Sequence, residues 1–148
     1  MSAFTLDIPV RFQHADPAGI VFYPRYFEMM NRMVEDWFAE ALDYPFRRMH
    51  MVEHRGIPTL NVEAAFTGVS RIGDVLSFAL TVTRLGNSSF ALNIDAACNG
   101  EERLSSRQVC VYTTIGETVR AEPLPEALRA KMQAFVEPVT GSRNAEDN

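Results

Sequence analysis

Asp16 stands between a strand-like and a helix-like segment, a position from which a carboxylate can do chemistry. Apolar residues alternate up to Phe12, and a helical pattern begins near Pro24. Pro17 fixes its own φ and disfavours the helical region for Asp16, while Gly19 allows a positive φ or a close approach of the backbone. This predicts a fixed carboxylate that faces the positive end of a helix. Such a group can be a general base or a nucleophile, or it can simply cap the helix or turn.

The histidines offer weaker candidates. His14 lies two residues before Asp16 and can orient it, contact a substrate or be a partly exposed loop residue. His50 and His54 are four residues apart, as helical metal ligands can be, but no glutamate follows the first and no third ligand is apparent. No serine has the glycine pattern of a nucleophile elbow. We therefore expect neither a metal nor a redox cofactor.

A strand and a long helix should position Asp16. The period of two over residues 4–12 predicts a half-buried strand, and Pro9 within it predicts an edge or a bulge. An apolar stripe with the spacing i, i+3, i+4, i+7 predicts a helix over residues 24–42. Residues 46–55 should form a short helical or irregular link.

Four further strands and a short amphipathic helix should follow. Gly73-Asp74, Gly86-Asn87 and Asn99-Gly100 mark the turns, and Asn-Gly is a strong hairpin signal. Short connections favour antiparallel neighbours, so the strands are expected to meander. The predicted spans are Thr59–Val69, Val75–Leu85, Ser89–Cys98 and Arg103–Ile115 for the strands and Pro125–Val136 for the helix.

Size and composition are those of a single globular domain. The chain has 148 residues, of which 47% are apolar and 22% charged, and residues 1–136 are expected to form one domain with a flexible tail at 137–148. A net charge of -5 and the absence of basic runs argue against nucleic acid. Neither a membrane span nor a secretion signal is apparent. Cys98 and Cys110 have no metal or redox spacing and are interpreted as reduced thiols of a cytoplasmic protein.

The run Asp16-Pro17-Ala18-Gly19-Ile20-Val21-Phe22-Tyr23-Pro24 closely resembles the 4-hydroxybenzoyl-CoA thioesterase group of hotdog-fold acyl-CoA thioesterases. Weaker similarity covers about residues 5–135. The resemblance implies an α+β hotdog fold, in which a five-stranded antiparallel sheet wraps around one long helix and a short C-terminal helix follows. It also implies a homodimer with a continuous sheet, often paired again into a homotetramer, with the active site at the subunit interface.

The resemblance implies a role for two residues of this run in thioester hydrolysis. Asp16 can attack the thioester carbonyl and form a mixed anhydride, or it can activate water as a general base. Direct attack needs only the carboxylate and is slightly favoured, but both routes stay open. The oxyanion is expected to accept a hydrogen bond from the backbone N–H of Tyr23 at the helix start.

The substrate contacts implied by the resemblance include departures from the family pattern. His14 replaces an acidic residue that is common there, and Asn31 replaces an aspartate near the substrate ring of an aromatic-CoA member. Arg84 is the only cation near the turn where that member has consecutive basic residues. Phe22 and Phe46 suit an aromatic or other apolar acyl group, or they belong to the core. The expected substrate-binding residues are His14, Gly19, Phe22, Asn31, Phe46 and Arg84.

The sequence therefore predicts an acyl-CoA thioesterase, with an aromatic acyl group as one candidate substrate. Two alternatives remain. The missing phosphate-binding cations are compatible with a non-catalytic protein of the same fold that binds acyl thioesters. A thioesterase that acts on acyl carrier protein is less favoured, because the acidic net charge would repel an acidic carrier.

Overall fold

A long helix follows the first strand, and most of the later chain is extended. The computed structural model describes residues 3–138. The helices are α1 (Pro24–Asp36) and α2 (Glu126–Gln133), and the strands are β1 (Phe4–Pro9), β2 (Arg55–Gly56), β3 (Thr59–Phe66), β4 (Val75–Leu85), β5 (Ser89–Cys98), β6 (Glu101–Val111) and β7 (Thr113–Thr114).

Five of these strands form an antiparallel sheet in the order β1-β4-β5-β6-β3. This confirms the predicted five-stranded sheet with one long helix, but the simple meander is wrong, because β3 pairs with β6 and not with β4. Residues 67–74 connect β3 to β4. Eight residues can span about 26 Å, and three strand spacings are only about 14 Å. A short connection can therefore join strands that are not neighbours.

The core lies between α1 and the facing side of the sheet. Met33 of α1 is fully buried, and Trp37 and Phe38 just beyond it reach Phe90 of β5, with ring centroids 6.5 and 6.3 Å apart. The predicted helical stripe and the predicted strand alternation thus meet in one apolar cluster. The inward-facing residues of β4 and β5, two of the three inner strands, include Leu76, Phe78, Leu80, Val82, Phe90, Leu92 and Ile94.

The helix predicted over residues 24–42 changes its winding at Trp37. Trp37–Ala41 form a π-helical turn, in which the Leu42 N–H donates to the Trp37 carbonyl over 3.1 Å. Trp37, Phe38 and Leu42 are all buried. The wider turn therefore lets the end of the helix bury three large side chains together.

The first strand is shorter than the prediction over residues 4–12. The ladder between β1 and β4 ends at Pro9 and Val75. The Val10 carbonyl still accepts a hydrogen bond from the Gly73 N–H over 3.0 Å. Phe12 lies instead in a 3-10 turn, Phe12–His14, and is 87% exposed. Pro9 lies on an edge strand, as predicted, because β1 pairs only with β4.

The later elements agree with the prediction in kind and differ at their ends. β4 and β5 have the predicted bounds, whereas β3 stops at Phe66 and β6 stops at Val111. β7 turns away and pairs with β2 in a separate two-stranded sheet that the sequence did not indicate. The predicted link contains a π-helical turn at Arg47–Val52. α2 covers the middle of its predicted span.

The chain after α2 returns to the sheet. The Glu137 carboxylate accepts a hydrogen bond from the Thr81 hydroxyl over 2.6 Å, and its N–H donates to the Val82 carbonyl over 2.9 Å. Residues 139–148 of the predicted tail lie outside the described part of the chain. None of the helices within residues 3–138 has the length and hydropathy of a membrane span.

The two cysteines are free thiols, as the sequence predicts. Cys98 lies opposite Glu101 and Cys110 opposite Phe90 in the β5–β6 register, so the two thiols are not cross-strand partners. Burial raises the pKa of Cys110 to about 11, which keeps this thiol protonated near neutral pH.

Candidate active site

Asp16 sits at the tip of a tight loop before α1. Its N–H donates to the Ile20 carbonyl over 2.9 Å, and its own carbonyl accepts the Gly19 N–H over 2.9 Å. The Ala18 N–H donates to Asp16 Oδ1 over 2.8 Å, which makes an Asx turn. Asp16 Oδ2 has no hydrogen-bond partner within the described residues 3–138. The carboxylate is thus oriented through one oxygen, and the other is available.

Gly19 has a positive φ of +78°, the first of the two roles that the sequence allows for it. An added Cβ there would meet no atom within 4 Å. The glycine is therefore required by backbone conformation and not by crowding.

One backbone donor at the start of α1 is unpaired. Pro24 has no N–H, while the N–H groups of Arg25 and Tyr26 donate to the carbonyls of Phe22 and Tyr23 over 2.8 and 3.1 Å. Among the residues that the structure describes, nothing accepts the N–H of Tyr23. The helix dipole makes this an electropositive point. It can hold an oxyanion.

His14 is bound into the same loop through its backbone and its ring. Its carbonyl accepts the Phe22 N–H over 2.9 Å, and its Nδ1 accepts the Arg11 N–H over 2.8 Å. Burial lowers the pKa of His14 against the opposing effect of Glu28, and neighbouring arginines lower it further. The Nδ1 acceptor role places the proton of the neutral ring on Nε2. The ring thus hydrogen-bonds to the Arg11 N–H, and its Nε2 lies 3.4 Å from the Gln13 side-chain nitrogen. The His14 ring makes no hydrogen bond to Asp16.

An aromatic cleft of about 390 Å³ opens beside the start of α1. Phe66, at the end of β3, stacks on Tyr26 with centroids 5.3 Å apart and lies 6.0 Å from the ring of Tyr23. Sequence reasoning missed Phe66, although the glycine two residues later marks the end of its strand. The lining residues are Ile20, Val21, Tyr23, Tyr26, Phe66, Thr67, Gly68, Val69 and Ser70.

The structure brings part of the predicted site together. Asp16, Gly19, Phe22 and Tyr23 share one loop, and the Phe22 and Tyr23 rings meet edge to face at 5.5 Å. Asn31 is exposed on α1, on the side away from the buried stripe. These four loop residues thus form one local unit, and Asn31 is not part of it.

Two other predicted residues lie away from the loop. Phe46 packs against the buried Phe38, with centroids 5.6 Å apart, and belongs to the core at the far end of the helix. Arg84 donates to the Ser89 hydroxyl over 3.2 Å at the end of β4. Arg84 is nine residues along β4 from Val75, where the strand begins, and this length of strand is about 30 Å. Within one protomer Arg84 cannot reach the loop that holds Asp16.

The curved sheet and the helix against it are the hotdog fold, which solved structures share. A 1,4-dihydroxy-2-naphthoyl-CoA thioesterase from Synechocystis has a TM-score of 0.81 at 19% identity, over 92% of this chain and 99% of that one. The 4-hydroxybenzoyl-CoA thioesterase of Pseudomonas sp. strain CBS-3 has a TM-score of 0.81 at 21% identity, over 88% of this chain and 99% of that one. A gentisyl-coenzyme A thioesterase has a TM-score of 0.77 at 23% identity, over 85% of this chain and 99% of that one. At these identities the likeness establishes the fold.

The chain belongs to the thioesterase-like superfamily, whose sequence model matches residues 10–132. The match spans the Asp16 loop, α1 and all strands of the main sheet except β1. It places the protein among the thioester hydrolases. A comparison with curated proteins gives no match.

Proposed function

We propose that the protein hydrolyses the thioester of an acyl-CoA, with Asp16 as the reactive carboxylate and the Tyr23 N–H as the oxyanion donor. One observation carries the proposal. Asp16 Oδ2 and the Tyr23 N–H are both without partners in the described chain, and both belong to the loop at the start of α1. A thioester carbonyl needs this combination of a nucleophile or base and a hydrogen-bond donor.

Two chemical routes fit this arrangement. In the first, Asp16 Oδ2 attacks the carbonyl carbon, the C–S bond breaks, and the thiolate leaves and takes a proton from solvent. Water then hydrolyses the mixed anhydride and restores the carboxylate. In the second, Asp16 removes a proton from a water molecule that attacks the carbonyl carbon, the C–S bond breaks, and the thiolate leaves and takes up that proton, which restores the carboxylate. In both, the developing oxyanion accepts the Tyr23 N–H, and the Ala18 N–H keeps the carboxylate oriented.

The aromatic cleft supports an aromatic or other apolar acyl group as substrate. Phe66, Tyr23 and Tyr26 present ring faces and edges beside the proposed oxyanion donor. Three structural relatives are described as thioesterases of aromatic acyl-CoAs, namely 1,4-dihydroxy-2-naphthoyl-CoA, gentisyl-CoA and 4-hydroxybenzoyl-CoA. In this proposal His14, Gly19 and Phe22 shape the wall of the site next to Asp16.

A homodimer through β3, and its pairing into a homotetramer, belong to the same proposal. β3 is an edge strand with exposed apolar side chains, among them Leu60 at 65% and Val62 at 42% exposure. Natural proteins cover such an edge, and a second copy would do so around a two-fold axis. Asn31 and Arg84, which are exposed and lie away from the loop in one protomer, contribute to the site of the partner in this proposal, whereas Phe46 stays in the core of its own protomer.

Thiol release from a panel of aromatic and aliphatic acyl-CoAs tests the proposal. We expect turnover by the wild type, and a loss of about 10²-fold or more in kcat for Asp16→Asn. Asp7→Asn is the matched control, because Asp7 is an exposed carboxylate on β1, away from the loop. A folded Asp16→Asn variant with near wild-type turnover would refute the role of Asp16.

The same assays separate the alternatives. If intact acyl-CoA binds stoichiometrically without turnover, the protein is a binding protein and the proposal fails. If the same acyl group is released much faster from acyl carrier protein than from CoA, the proposal that CoA carries the acyl group is wrong. We expect turnover on CoA thioesters at a rate no lower than on the carrier protein.

A further inference from the structure

The loop that carries Asp16 lies on a second segment of chain. We call residues Ser70–Asp74 the backing segment. The Val21 N–H donates to the Ser70 carbonyl over 2.9 Å, and the Ile72 N–H donates to the Gly19 carbonyl over 3.2 Å. The placement of the proposed carboxylate therefore depends on where the backing segment is held.

Arg103 of β6 holds both ends of the backing segment. Its Nη1 donates to the Val69 carbonyl over 2.7 Å, to Asp74 Oδ2 over 3.0 Å and to the Ser70 hydroxyl over 3.3 Å. Its side chain is only 11% exposed, and Glu101 lies 3.1 Å from its Nε. A planar guanidinium suits such a multiple contact, because its donors keep a fixed geometry.

The acceptors of Arg103 are themselves tied to the loop and to α1. Asp74 Oδ2 also accepts the Arg71 N–H over 2.9 Å, and this bond, with that from Arg103, lowers the pKa of Asp74. The buried Ser70 hydroxyl also accepts the Tyr26 hydroxyl over 2.8 Å. Tyr26 belongs to the first turn of α1. One guanidinium thus connects the support of the Asp16 loop with the start of the helix.

We propose that Arg103 is a positioning residue for thioester hydrolysis, which sets the Asp16 carboxylate against the Tyr23 N–H through the backing segment. This inference rests on the proposed function. Arg103 does not line the cleft, so it acts through the residues it holds. Its loss should lower kcat much more than it changes KM, because the aromatic part of the cleft wall at Tyr23 and Phe66 does not contact Arg103 and stays, while the reacting groups lose alignment.

Steady-state kinetics on Arg103→Met, Arg103→Lys and Asp74→Asn test the inference. We expect kcat to fall by about 10- to 100-fold in Arg103→Met, as for a misplacement of about 1 Å, with KM within about two-fold. Lysine keeps the charge and should restore part of the rate, while Asp74→Asn removes one acceptor charge without changing side-chain size. Assays are run well below each unfolding midpoint.

Arg55→Met is the matched control. Arg55 also donates to two backbone carbonyls, those of Glu53 and His54, over 2.9 and 3.2 Å, and it pairs with Glu122 at 3.8 Å. We expect its kcat to stay within about two-fold of the wild type, because it holds no segment next to the Asp16 loop. An equal loss of kcat in Arg55→Met, or none in Arg103→Met, would overturn the inference.

Amide hydrogen exchange gives a readout that does not depend on activity. The amides of Val21 and Ile72, which join the loop to the backing segment, should exchange faster in Arg103→Met and not in Arg55→Met. Unchanged exchange at both amides would refute the inference whatever the rates. A wild type without turnover would instead refute the proposed function, and the exchange data would still decide whether Arg103 holds the loop.

Discussion

Replacement of Gly19 by alanine should lower both the free energy of unfolding and kcat, and comparison with a second glycine variant can distinguish the two effects. Gly19 has a φ of +78°, and its Cβ position is open. The left-handed conformation costs an alanine about 1–2 kcal/mol. The smaller backbone entropy of the unfolded alanine variant offsets about 0.4–1 kcal/mol of that. The net loss in the free energy of unfolding should be about 1 kcal/mol, or about 2–4 °C in Tm for a chain of this size.

Gly100 provides the matched control. It has nearly the same φ, +81°, an equally open Cβ position, and a place in the turn between β5 and β6. Gly100→Ala should therefore lose about the same stability, since the cost lies in the backbone alone. Only Gly19→Ala should also lower kcat, because its carbonyl accepts the Ile72 N–H and its N–H donates to the Asp16 carbonyl.

Urea unfolding and thiol-release kinetics on the two variants give the comparison. A loss of several kcal/mol in Gly19→Ala would show that a steric clash exists where none is expected. A Gly19→Ala variant with the stability loss of Gly100→Ala and an unchanged kcat would refute the dependence of the reaction on this loop. Asparagine at position 19, which tolerates a positive φ better than alanine, should fall between glycine and alanine in both measurements.

Two further predictions concern pH and assembly. The pKa of His14 is lower in the folded protein than the ordinary value of about 6.5, so below about pH 6.5 the unfolded state binds more protons than the folded state. The free energy of unfolding should therefore decrease as the pH falls below about 6.5. Urea unfolding over this range should give a shallower decline for His14→Gln than for the wild type, and equal slopes would exclude His14 as the cause. Val62→Lys on the exposed edge of β3 should weaken the dimer and the activity together on dilution, as followed by light scattering; a fully active species of 16.6 kDa would contradict the dimer.

Local sequence signals determined the elements and the shape of the Asp16 loop. The bounds of β4 and β5, the start of α1 at Pro24 and the positive φ of Gly19 agree with the prediction. Alternation, proline at the first turn and glycine in a tight loop act through nearest neighbours in the chain, so a sequence window contains their causes. The candidate roles of Asp16 and Tyr23 came from the resemblance of one such window to a known family.

Only the tertiary structure decided which distant segments meet. The pairing of β3 with β6, the aromatic cleft at Phe66 and the contact of Arg103 with Asp74 are invisible in any short window. The Tyr26 hydroxyl meets Ser70 across 44 positions of chain. The same arrangement separated Arg84 from the loop. Such contacts depend on how the sheet curves around the helix and brings its ends together, because burial and hydrogen bonding reward proximity in space and not in sequence.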